Sequence, residues 1–78
     1  MNWEERIVCD PKILVGKPTI RGTRLSVAFL LERLASGWTE KMILENYPRL
    51  TPDDLRAVFA FASKQMTKEF KFSRSKNR

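Results

Sequence analysis

Thr51-Pro52-Asp53-Asp54 constrains this chain more than any other run in it. A side-chain acceptor at the N-cap, a proline at the first helical position and an acid at N3 that can reach back to the cap together mark a helix start. Leu55, Val58, Phe59, Ala62 and Met66 follow on one face, so a helix is expected from Pro52 to about Lys68. Two earlier segments carry similar punctuation. Ser26 precedes Val27, Leu30, Leu31, Leu34 and Ala35 at helical spacing, and Gly37 follows Ser36 in the C′ position. Thr39 precedes Glu40, whose charge complements a helix dipole, and Ile43, Leu44 and Tyr47 form a short apolar face ending before Pro48. Phe29 falls off the first stripe, so it packs under the N-terminal arm, enters a dimer interface or stays exposed.

Upstream of Ser26 no such period exists. Ile7-Val8-Cys9, Ile13-Leu14-Val15 and Thr19-Ile20 are short β-prone pieces separated by Asp10-Pro11, Gly16-Lys17-Pro18 and Arg21-Gly22. Proline blocks helix and glycine takes positive φ, so a small hairpin or extended arm is expected there. The fold class is therefore mainly α: a three-helix, helix-turn-helix-like domain over 1–68, with a short β or extended N-terminal arm. A generic three-helix bundle fits the spacing equally well. Residues 69–78 carry two aromatics and several cations without apolar periodicity, and read as a flexible basic tail.

At 78 residues the chain has material for one core, and one this small is marginal, which favours a dimer. The run Leu25 to Leu31 falls far short of the roughly 20 apolar residues a membrane span needs, and Met1 to Glu5 is not a signal-peptide start. A cytoplasmic protein is expected. Cys9 is the single cysteine and there is no histidine, so an intrachain disulfide, the common zinc and haem sites and the usual general base all lack their residues. The inventory points away from an enzyme and toward no cofactor.

The net charge of +6 points to a polyanion or an acidic protein as partner. Its placement is uneven: residues 1–31 hold five cations against three acids, 32–62 hold four against five, and 63–78 hold six against one. Lys17, Arg21 and Arg24, with Thr19 and Thr23 as donors, occupy a stretch free of acids and stiffened by Pro18. Such arginines suit phosphate contacts or guanine readout. The plainer alternative is a solvated turn whose Arg24 pairs with a helix carboxylate. It is not a P-loop, because Pro18 stands where Ser or Thr must follow the lysine. Helix three would present Arg56 beside Asp53 and Asp54, which would repel phosphates, so the arm is the preferred DNA surface and Arg49 and Arg56 are the reserve.

A second stripe on helix three, Ala57, Phe61, Lys64 and Lys68, lies away from the expected core stripe and suits a partner protein, unless Phe61 merely widens the core. Phe61, Met66, Phe70 and Phe72 would anchor that partner, and Lys64, Lys68, Lys71, Arg74, Lys76 or Arg78 would supply charge. In the plainer alternative Phe70 and Phe72 belong to an inert tail.

The run from Asp10 to Val27, with its core Gly16-Lys17-Pro18 and Arg21-Gly22-Thr23-Arg24, together with Ala35-Ser36-Gly37 and Tyr47 to Leu55, resembles the domain-of-unknown-function family four-three-three. The likeness spans about Ile7 to Ala62. The resemblance implies a VapB-type antitoxin: a small helix-turn-helix protein, dimeric, that neutralises a PIN-like ribonuclease toxin and represses their shared operon by binding operator DNA. PIN-like active sites cluster carboxylates around a metal, so a lysine or arginine from the tail could block one. A stand-alone nucleic-acid-binding regulator without a toxin is the alternative, and a purely structural adaptor is a third.

Overall fold

The computed structural model describes residues 2–76, with side chains described over 2–67. These residues form a two-stranded antiparallel sheet and three helices, as the capping signals require. Strand β1 (Ile7–Val8) pairs with β2 (Thr19–Ile20) in the register Ile7 to Ile20 and Val8 to Thr19. A 3-10 turn, Trp3–Glu5, precedes β1.

Helix α1 (Val27–Ala35) begins where the Ser26 hydroxyl accepts from the Phe29 N–H at 2.9 Å. It ends in a Schellman arrangement: Gly37 N–H donates to Leu34 O, Trp38 N–H donates to Arg33 O, and Gly37 takes a φ of +105° that a side chain would resist. Helix α2 (Glu40–Asn46) starts on the Thr39 hydroxyl, which accepts from Met42 N–H at 3.1 Å. Helix α3 (Pro52–Lys76) opens on a reciprocal capping box. Asp54 N–H donates to Thr51 Oγ1 at 3.2 Å, and Thr51 N–H donates to Asp54 Oδ2 at 2.9 Å.

Ile7, Ile20, Val27, Leu30, Ile43, Leu50, Leu55, Ala57 and Val58 make the buried core, so both strands and all three helices contribute. Thr19 is fully buried among them, its hydroxyl donating to Val8 O at 3.3 Å.

Four expectations are corrected. Phe59 and Met66, placed in the core stripe, are 42% and 56% exposed, while Ala57, placed on the outward stripe, is fully buried. The reason is that α3 is covered on two sides: α1 and α2 lie along one, and the N-terminal turn and β1 lie along the other. Phe61 meets Trp3 of that turn edge to face, with ring centroids 5.1 Å apart, so it widens the core as the plainer reading had it. Phe29 does not stay exposed; it is half-buried, edge-on to Tyr47 at 5.8 Å. Finally, α3 continues to Lys76 rather than stopping near Lys68. No glycine or proline follows Pro52, and Lys68, Glu69, Lys71, Arg74 and Lys76 are residues that a helix accepts at little cost. At about 1.5 Å per residue the helix is the longest feature of a body measuring 44 × 30 × 23 Å.

No helix among the described residues is long and apolar enough to cross a membrane.

Candidate nucleic-acid interface

The turn after β2 is built so that one arginine is fixed and the next is free. Thr23 N–H donates to Ile20 O at 3.0 Å, with Gly22 inside the turn at φ +81°. The Thr23 hydroxyl donates to Ile20 O at 2.8 Å and accepts from Leu25 N–H at 3.0 Å, so it is consumed in holding the turn. Arg21 is tied back twice: its Nε donates to Glu5 O and its backbone N–H donates to Arg6 O, both at 2.8 Å. Arg24, three residues past that anchor and directly after Gly22–Thr23, is exposed.

A second turn brings Arg49 to the same place. Tyr47 N–H donates to Ile43 O, and Leu50 N–H donates to Tyr47 O at 2.9 Å, so Pro48 and Arg49 are held out while Leu50 returns to the core. Thr23, Arg24, Leu25, Asn46, Tyr47, Pro48 and Arg49 line an open cleft of about 290 Å³. No carboxylate is in that lining, and neither Arg24 nor Arg49 is in an ion pair among the described residues. The result is two cations over a polar and aromatic floor.

The floor is stiff because Tyr47 belongs to an aromatic layer. Phe29 meets it edge to face, and Trp38 stacks on it at 6.4 Å with ring planes 22° apart. The Arg33 guanidinium lies over both Phe29 and Trp38, at 4.8 and 5.0 Å from the ring centroids. Guanidinium over a ring face is electrostatically attractive, so Arg33 closes the layer from the α1 side although its Nε has no hydrogen-bond partner among the described residues.

The acidic start of α3 is satisfied within the chain. Arg6 Nη1 donates to Asp54 Oδ1 at 3.0 Å, Arg6 Nη2 lies 3.7 Å from Asp53, and Arg56 Nη1 donates to Asp53 Oδ1 at 2.7 Å. Arg56 is thus committed to a neighbour on its own helix.

Of the six residues expected on DNA, the structure brings together Thr23, Arg24 and Arg49. Arg21 serves as a strut to the N-terminal turn, Arg56 pairs with Asp53, and Lys17 lies instead on the lip of a groove between α1 and α3. Among the residues expected to hold a partner protein, Phe61 and Met66 line that groove, and Lys64 is exposed. The side chains of Lys68, Phe70, Lys71, Phe72 and Arg74 fall outside the described residues, as do those of Lys76 and Arg78. Asn46, Tyr47 and Pro48 were not foreseen in the site. The signal in the sequence was Tyr47-Pro48-Arg49 directly after a helix stop, but nothing local places it beside Arg24. Among the described residues no cluster of acids, cysteine or histidine could hold a metal ion.

Comparison with known proteins agrees with this architecture. The chain is 33% identical over 58 residues to a protein of Sinorhizobium fredii, "Uncharacterized protein y4eO", covering 74% of this chain and 26% of that one. It therefore spans about a quarter of that relative's length. The crystal structure of a DUF433 member from Anabaena variabilis superposes with a TM-score of 0.73 at 32% identity, covering 85% of this chain and 68% of that one. The profile of the family described as "Protein of unknown function (DUF433)" matches residues 7–62, which takes in both turns of the cleft and the whole buried core. The chain belongs to the DUF433 family.

Proposed function

We propose that this protein is a nucleic-acid-binding regulator that grips the phosphate backbone with Arg24 and Arg49. The observation that carries this reading is the convergence on one cleft of two arginines that are in no ion pair among the described residues, with no carboxylate in the cleft's lining. Duplex DNA has closely spaced negative charges, and cations that release its counterions supply most of the affinity. The planar amphipathic Tyr47 and the amide of Asn46 add surfaces that suit a sugar or base edge. In this reading α2 and α3 are a helix-turn-helix-like frame whose turn presents Arg49. The start of α3 does not enter a groove head-on, since Arg6 closes over it.

Joined to the family resemblance, the reading makes the protein the DNA-binding antitoxin of a pair whose toxin is a PIN-like ribonuclease, acting in the cytoplasm as a homodimer. The groove lined by Phe61 and Met66 leaves an apolar surface open beside a cationic helix, which supports a protein partner as well as DNA. Two experiments separate the parts. A gel shift with duplex DNA from upstream of its own gene tests the regulator, and growth rescue on co-expression with the neighbouring ribonuclease tests the antitoxin. A shift without rescue leaves the stand-alone regulator, and rescue without a shift removes DNA from the account.

A further inference from the structure

We propose that the open groove between α1 and α3 seats an apolar ridge on an acidic segment of a partner protein. This rests on the protein-partner half of the reading above and not on the DNA half. The groove holds about 460 Å³, and its lining is apolar apart from Lys17, Ser26 and Gln65. Ala28 and Leu31 form its α1 wall, and Phe61, Ala62 and Met66 form its α3 wall. Ala28 is exposed, Leu31 half-buried and Met66 56% exposed, so the core leaves this surface uncovered. A trough open along its length accepts a run of side chains at helical spacing better than a small molecule, which needs enclosure.

Charge decides what fills it. Beyond Ala62 the chain carries six cations against one acid, and Lys17 stands at the opposite lip. A second copy of the chain would bring that same excess against itself. Nucleic acid would meet the charge but has no apolar ridge for Leu31 and Met66. A protein segment with aliphatic residues on one face and carboxylates flanking them satisfies both. The helix is prepared for such a partner, because residues 63–67 are all exposed. A helical run of that kind is marginal in water without a packing face. Gln65 and Met66 also lie past the family match at 7–62, so the far part of the α3 wall falls outside it.

The probe is a designed amphipathic helical peptide with leucines at i, i+3, i+4 and i+7 and glutamates elsewhere, alongside a twin in which lysines replace the glutamates. Fluorescence anisotropy with the full chain should show the acidic peptide binding about tenfold or more tightly than its twin, with affinity falling as salt rises. Ala28→Glu and Met66→Glu change exposed positions, so the fold and the gel shift with DNA should be retained while peptide binding drops about tenfold. Equal binding of both peptides, no binding, or binding indifferent to both substitutions overturns the proposal. Self-association in sedimentation that Ala28→Glu abolishes would assign the groove to a second copy instead. Because no ribonuclease is present, failure here is distinct from failure of growth rescue. A ribonuclease complex that survives both substitutions would place the toxin on another surface.

Discussion

Arg6 donates from Nη1 to Asp54 Oδ1 at 3.0 Å, joining the start of the chain to the start of α3 across 48 positions. The same Asp54 carboxylate accepts from Thr51 N–H with its other oxygen, so one side chain caps a helix and anchors the arm. Two consequences follow from this single group: the fold depends on it, and the acidic end of α3 is withdrawn from any polyanion.

Asp54→Ala removes both contacts and leaves Arg6 without its closest partner. With the Asp54 side chain only 10% exposed, the loss should be about 2 to 3 kcal/mol in urea unfolding, at the upper end for charged hydrogen bonds. Arg6→Ala should cost about 1 kcal/mol, because the arginine itself is 39% exposed and screened by water. Equal costs for the two would show that the cap, and not the tie, carries no weight of its own.

Val15 sits at φ +56° between Leu14 at +50° and Gly16 at +82°, and it is 91% exposed. A β-branched residue in the left-handed region is strained, by roughly 1 to 2 kcal/mol, and exposed as it is, Val15 gains little burial to offset that. Glycine would remove the strain but add unfolded-state freedom worth about 0.5 to 1 kcal/mol. Val15→Gly should therefore stabilise by about 0.5 to 1 kcal/mol and raise the melting temperature by a few degrees. A lower melting temperature would show that this loop is not held in the left-handed region.

The caps were legible in the sequence because they are local: Ser26, Thr39 and Thr51 each accept from an N–H three residues on, and no distant residue alters that geometry. The phase of the α3 core was not. Periodicity shows that a helix has a buried face but assumes one covering surface, and here Trp3 and β1 cover a second, which buries Ala57 and leaves Phe59 out. The arginines divide the same way. Cations without nearby acids could be picked out by eye, but which of Arg21 and Arg24 stays free depends on Glu5 O, sixteen residues from Arg21. Arg24 and Arg49 meet only because both turns pack at the same edge of the core.

Tyr47→Ala keeps the charge of the cleft and removes its floor. Nucleic-acid affinity should fall several-fold with the salt dependence unchanged, because no phosphate contact is lost. Its partners Phe29 and Trp38 lose their packing, so the parent should be more stable by about 2 kcal/mol, below the range for a fully buried aromatic because the ring is only half-buried. An altered salt slope would mean that the substitution had displaced Arg49.

The most direct test of the account is a salt series on nucleic-acid binding by the Arg24→Ala, Arg49→Ala double variant, followed by anisotropy with duplex DNA from upstream of the gene. If both arginines neutralise phosphates, the slope of log affinity against log salt should flatten by about 1.8, at roughly 0.9 per contact, and affinity at low salt should drop steeply. Arg21→Ala alone should leave that slope in place, since its Nε is already donating to Glu5 O. A double variant that binds as tightly as the parent with the same slope would contradict the central claim that Arg24 and Arg49 form the nucleic-acid site.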